Sequence, residues 1–178
     1  DVYKRQGGTS TGKIVAATAA PMFKKLSLEL GGKNASIVLD DANLDTAVPG
    51  VLRSSFLNSG QICLCGSRIL VHSSIYDEFM DKYLQQLKNF DIGPVISEQH
   101  RSKVLSYIES AKEEGGEIMA GGNVPDKPGS WIEPTVISGL SHTSRTATEE
   151  IFGPVVTVHK FDDDDEASAP AVEQIVIG

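Results

Sequence analysis

The residues best suited to chemistry in this chain fall in a few short stretches. Cys63 and Cys65, its only two cysteines, are separated by a single leucine in "NSGQICLC". A free thiol has a pKa near about 8.5, so it works as a nucleophile only where its surroundings favour the thiolate and a base is at hand. Three readings of Cys63 compete. It is a small buried hydrophobe, as most intracellular cysteines are; a metal ligand; or a nucleophile. The metal reading is weak, because one spacer residue and no matching downstream pair do not make a ligand set, and His72, His100, His142 and His159 are scattered singly. The nucleophile reading gains from position: Cys63 follows a glycine-containing turn that ends a helix and precedes a strand, the kind of loop that presents reactive side chains. It needs a base, and a carboxylate is available in Glu29 of "LELGGK", at a strand end where Gly31 and Gly32 are expected to let the backbone turn sharply. Taken alone, Glu29 reads equally as a solvated strand end, and Glu149-Glu150 of "TEEIFGPV" as a surface pair before a Gly-Pro turn.

The stretch "GGTSTGK", Gly7 to Lys13, has the outline of a phosphate loop. A Walker A loop requires Ser or Thr after the lysine to hold Mg²⁺, and Ile14 stands there; it also requires a buried strand in front, which "DVYKRQ" does not supply. What remains is a Gly-rich turn whose N–H groups face a diphosphate at a helix N-terminus, or a plain turn that caps a helix.

These residues need a scaffold, and the rest of the chain provides one. An Ala-rich helix runs up to Pro21, and "KLSLEL" alternates as a half-buried strand. "ASIVLD" is a β-branched run suited to a strand buried on both faces, and a helix follows with Pro49 early in it and a stop at Gly60. "SRILVH" reads as a strand. Ile75, Phe79, Tyr83 and Leu87 mark one face of a helix, as do Val104, Leu105, Ile108 and Ala111 of another closed by Gly115-Gly116. "GEIMAGG", "WIEPTVI" and "VVTVHKF" complete the strands, and "DDDDE" reads as the acidic first turn of a helix. Strands alternating with helices imply an α/β fold with a mostly parallel sheet. A net charge of −8, from 16 Lys plus Arg against 24 Asp plus Glu, argues against a grip on nucleic acid or anionic lipid. No apolar run is long enough to span a membrane, and cysteines this close cannot staple a fold, which points to a reducing, cytoplasmic setting. The "NAS" sequon at Asn34 is discounted for want of a secretion signal. Both ends read as cut, with residues 1–6 and 168–178 as foreign-looking junctions.

In this order, the motifs resemble the aldehyde dehydrogenase superfamily. "LELGGKNASIVLDDANLD" is similar to its glutamate motif, "FLNSGQICLCGSRILV" to its cysteine motif, "EEIFGPVV" to the stretch that reaches the cofactor ribose, and "GGTSTGK" to its cofactor turn, with Arg5-Gln6 in place of the usual Phe-Thr. The likeness runs from Gly7 to about Ala167. Within the superfamily, "RSSFLNSGQICLCGSRI" is most similar to the aminomuconate and hydroxymuconate semialdehyde dehydrogenases.

The resemblance implies the last βα piece of a Rossmann-like NAD(P)-binding domain over residues 7–30 and a truncated catalytic domain over 31–167. It implies Cys63 as nucleophile, its backbone N–H as an oxyanion donor, and Glu29 as the base that activates water, work suited to a partly desolvated carboxylate. Gly7, Gly8 and Gly12 would let the backbone approach the diphosphate of NAD, NADP not being excluded. Leu30 joins the cofactor site, Glu150 would meet the nicotinamide ribose, and Phe152 would wall the ring. No metal is implied. The substrate is a small aldehyde, of muconate-semialdehyde type by the subfamily likeness, and the full-length form is implied to be a homo-oligomer. The first part of the cofactor domain, the oxyanion-hole asparagine and the oligomer-building strand belong outside these residues. The connection from Phe90 to Asp91 is shorter than usual, so the helix before it is expected to leave by an altered path. The rival from another class is a catalytically inactive remnant that serves as a binding or structural module.

Overall fold

The computed structural model describes residues 2–163 and 167. Two sheets divide it. The first is a parallel pair, β1 (Val2–Gly7) and β2 (Lys25–Leu30), joined by α1 (Thr9–Ala19) and a 3₁₀ turn at Ala20–Met22. A strand does precede the glycines, though not the buried one that a Walker A loop requires. β1 pairs with β2 through six positions, from Val2 opposite Lys25 to Gly7 opposite Leu30. Its side chains gave no sign of it, because a ladder is made by the backbone, and all six β1 residues are exposed. The helix also begins earlier than the Ala-rich run suggests. Only Gly7 and Gly8 form the turn, and "TSTGK" is already α1.

The second sheet has the order β3-β4-β7-β6-β5, from β3 (Ala35–Val38), β4 (Arg68–His72), β5 (Glu117–Ala120), β6 (Thr135–Ser138) and β7 (Val155–Phe161). All neighbours are parallel except β5 and β6. The mostly parallel α/β reading holds. The short run "ASIV", expected to be buried on both faces, instead forms the edge strand β3. It pairs on one side with β4, and Ile37 is exposed. The central position belongs to β7, whose seven residues are buried apart from Lys160.

One face of this sheet is covered by α2 (Leu44–Phe56) and α3 (Tyr76–Leu87). Val48, Leu52 and Phe56 of α2 and Phe79 and Tyr83 of α3 pack on Val38, Ile69, Val71, Val156 and Val158. The four-residue spacing of the α3 set is thus a core stripe. Asn43 caps α2 by accepting from the Asp45 N–H, and Pro49 lies within the helix. The chain leaves α3 by tight turns that seat Phe90 against Phe56, and Val95 is pinned by an N–H donated to the Ser130 carbonyl. α4 (Glu98–Glu113) then packs Val104, Tyr107, Ile108 and Ala111 into a second cluster with Ile137, Ile151 and Val155. It ends as expected, with Gly115 at positive φ and the Gly116 N–H returning to the Ala111 carbonyl. A one-turn helix, α5 (Arg145–Thr148), precedes the Glu149-Glu150 pair. The acidic run read as a helix start extends, with the tail, into residues outside those described.

Candidate functional site

The cysteine loop is built from strained backbone. After α2 the chain passes through three consecutive left-handed residues, Asn58, Ser59 and Gly60, two of which carry side chains and pay for the conformation. Gly60 is required: a Cβ there would run into the Gly153 carbonyl. The loop is then held by hydrogen bonds at every step. Ser59 Oγ donates to the Gly93 carbonyl at 2.7 Å, and the Ile96 N–H to Gln61 Oε1 at 2.9 Å. Asn34 Nδ2 donates to the carbonyls of Cys63 and Cys65 at 2.7 and 3.4 Å. Asn34, seen in the sequence as a discounted sequon, is therefore the brace of the cysteine turn. The result separates the two thiols. Cys63 is exposed; Cys65 is buried, and burial pushes its thiol up.

Cys63 opens on a cleft of about 530 Å³ that also takes in Gly7, Gly8, Glu29, Leu30, Glu150 and Phe152. Seven residues singled out in four separate stretches of sequence thus share one cavity. Gly12 is not among them. It lies one turn into α1, where a Cβ would come within 2.8 Å of the Leu30 methyls, so its smallness serves the packing of helix on strand. Glu29 lines the cleft but is exposed rather than partly desolvated.

The glycines after Glu29 have a different task from the sharp turn expected of them. Neither has a positive φ. Instead the Glu150 carboxylate lies directly on Gly31, where any Cβ would overlap it, and it accepts a hydrogen bond from the Gly32 N–H. Burial pushes the Glu150 carboxyl up, opposed by that N–H and by Lys103 and Lys33. Its neighbour Glu149 points elsewhere, to the Tyr107 hydroxyl at 2.7 Å and to Arg145, and the tyrosine bond holds it below the usual carboxylate range. The apparent surface pair is one structural and one cleft-facing carboxylate.

The model of the "Aldehyde dehydrogenase family" matches residues 3–173. The chain belongs to the aldehyde dehydrogenase family. It is 42% identical over 175 residues to 2-aminomuconic 6-semialdehyde dehydrogenase of Pseudomonas sp., covering 90% of this chain and 36% of that protein. It is 39% identical over 180 residues to betaine aldehyde dehydrogenase of Bacillus subtilis, covering 93% and 37%. Among solved structures, betaine aldehyde dehydrogenase from Staphylococcus aureus in complex with NAD+ superposes with a TM-score of 0.92 at 42% identity, over 96% of this chain and 37% of that one. The chain therefore spans little more than a third of the length of these relatives.

This aldehyde dehydrogenase chain carries site features that its sequence did not announce. His100 and Lys103, on the first turns of α4, line the same cleft. Lys33, directly after the two glycines, is buried with no hydrogen-bond partner for Nζ among the described residues. Burial first, then the Arg68 charge, lowers it to about 7. Arg68 in turn donates from Nε and Nη2 to the Lys33 carbonyl at 3.0 and 2.6 Å, tying β4 to the glycine segment. His142 and His159 stack at 4.4 Å, well away in sequence, and burial with the neighbouring His142 lowers His159 to about 4. Among the described residues no group of three or more His, Cys, Asp or Glu could hold a metal, and no helix is long and apolar enough to cross a membrane.

Proposed function

We propose that this chain carries the catalytic cysteine and the nicotinamide-side half of the cofactor site of an NAD(P)-dependent aldehyde dehydrogenase. The observation that carries the reading is the single cleft shared by Cys63, Glu29, Gly7-Gly8, Glu150 and Phe152. The fit to a dinucleotide rests on α1. It opens with no side-chain cap on Gly8, and a Cβ at Gly8 would meet nothing within 4 Å, so its first N–H donors have open room in front of them. Those N–H groups with Gly7 and Gly8 would hold the diphosphate, Glu150 the ribose of the nicotinamide half, and Phe152 the ring. Gly31 and Gly32 give the Glu150 carboxylate its place. Residues 7–30 would be the end of the cofactor domain, with the preceding β1 residues read as a junction paired onto it, and the five-stranded body the catalytic domain.

Cys63 attacks the aldehyde carbon as thiolate. The new C–S bond leaves a thiohemiacetal oxyanion, which accepts a hydrogen bond from the Cys63 backbone N–H. A bound nicotinamide would supply the hydride acceptor for that carbon, and Cys63 would keep the acyl group as a thioester. Glu29 then removes a proton from water. The hydroxide adds to the thioester carbonyl, the C–S bond breaks, and the carboxylic acid leaves with the thiolate restored. The likeness to the muconic semialdehyde enzymes supports as substrate a semialdehyde with a carboxylate at its other end.

Alkylation of the chain with iodoacetamide, read by mass spectrometry, tests the assignment. Cys63 labels, an added aldehyde protects it, and Cys65 stays unmodified. Cys63→Ala abolishes both labelling and any aldehyde-dependent reduction of NAD, a loss on the order of 10³-fold or more. Turnover unaltered in Cys63→Ala, or Cys63 labelling in the wild-type chain indifferent to added aldehyde, would overturn the nucleophile assignment.

A further inference from the structure

We propose that His100 is a positioning residue that holds Phe152 in its left-handed backbone conformation, and so fixes the aromatic wall of the cleft against which the nicotinamide ring lies. The functional half of this rests on the cofactor reading above; the structural half does not.

Phe152 has φ near 60°, where a bulky side chain is strained by about 1–3 kcal/mol unless its surroundings impose the conformation. Three neighbours impose it. On one side the Gly153 carbonyl presses against Gly60, leaving no room for a Cβ there. On the other, a Cβ at Gly153 would come within 2.6 Å of Val104 Cγ2, so α4 closes in from behind. The third is polar. His100 Nε2 lies 2.6 Å from the Phe152 carbonyl oxygen, and the two rings meet edge-on at 6.3 Å and 72°.

A carbonyl oxygen only accepts, so His100 Nε2 carries the proton. Of the two neutral tautomers, only the Nδ1–H form lacks this bond. His100 is a firm anchor, because its own N–H donates to the Ser97 Oγ that caps α4, at 3.1 Å. Phe152 is two residues from Glu150, and both line the cleft with Cys63. Fixing the Phe152 peptide therefore fixes the spacing between the ring wall and the carboxylate.

Two measurements on the full chain test this. Long-range ¹H–¹⁵N spectra of histidine-labelled protein should show His100 as the Nε2–H tautomer with a slowly exchanging proton. An Nδ1–H tautomer, or exchange as fast as in a free imidazole, overturns the structural half.

Titration with reduced nicotinamide mononucleotide, read by its fluorescence, tests the other half. His100→Leu should weaken binding about three- to tenfold, as loss of one hydrogen bond does. His100→Gln, which keeps an N–H donor, should restore it to within about twofold. In a Phe152→Gly background, where glycine adopts the conformation unaided, His100→Leu should have no further effect. An equal loss in both backgrounds overturns the proposal, because His100 would then act on the ligand directly. The cofactor reading fails separately: the wild-type chain not binding the mononucleotide, or Glu150→Ala binding it as tightly, overturns that reading and the functional half together, while the tautomer result stands.

Discussion

The β1–α1–β2 unit and the body on the five-stranded sheet hold their parts of one cleft in opposite ways. In the body, Cys63 and Phe152 sit on strained turns locked by Asn34, Ser59, Gln61 and His100, above a core that includes Phe56, Phe79 and Tyr83 at zero exposure. In the smaller unit every β1 residue is exposed, Ile14 is 67% exposed and Phe23 is 96% exposed, and α1 buries only Gly12 and Ala19. The half that carries the nucleophile is fixed by packing. The half that carries the glycines, the N–H groups and the Glu29 carboxylate is held by a backbone ladder. A nucleophile must be aimed, and the turn that presents Cys63 is locked by contacts within the packed body.

Truncating the body should cost the most. Phe79→Ala, in the centre of the first core cluster, is expected to lose about 3–5 kcal/mol in urea unfolding, by transfer and cavity terms together.

The next effect is set by pH. His159 has its folded pKa depressed to about 4, below the value of about 6.5 for an unfolded chain, with His142, Arg68 and Lys33 facing it. The unfolded state therefore binds the proton more readily. The stabilisation is complete above pH 6.5 and is lost as pH falls from there through 4, with a ceiling on the order of 3 kcal/mol. Unfolding midpoints at pH 7.5 and 4.5 should differ less in His159→Gln; an unchanged difference would remove His159 from the account.

Smaller again is Gly12→Ala, whose Cβ meets only the movable ends of Leu30. It should change stability by no more than about 1 kcal/mol, the helix propensity of alanine offsetting the contact. The least effect belongs to Ile14→Gln on the exposed face of α1, within about ±0.5 kcal/mol. A large loss from either would mean that the small unit has a core of its own and that the contrast is false.

Much of this could be read from the chain, and what could not has definite causes. The helix faces of α3 and α4 were legible because Phe79, Tyr83 and Leu87, every four residues, and Val104, Ile108 and Ala111, at steps of four and three, each mark one side of a helix. The cleft residues were legible as motifs, but the reasons for their glycines were not: the Glu150 carboxylate that occupies the space over Gly31 lies over a hundred residues away in sequence. β1 was missed because its pairing is written in the backbone and its side chains meet no core. His100, Lys103 and Asn34 were missed because the first turns of α4, the segment between β2 and β3, and the cysteine turn come together only in three dimensions. Glu149 and Glu150, adjacent in sequence, were inseparable until Tyr107 and Gly32 each claimed one.

The strand order has a consequence in time. β7, the central strand, begins at Val155, yet it must enter between β4, complete at His72, and β6. On the ribosome, at about 5–20 residues per second, β4 would wait on the order of ten seconds with one ladder edge unmet. During that interval Ile69, Leu70 and Val71, three of the most buried side chains in the finished molecule, have no strand beside them on that side. Until β7 arrives the nascent chain is open to mispairing along that edge, and the cysteine loop, whose Gly60 leans on Gly153 just before β7, takes its shape only when this segment is in place.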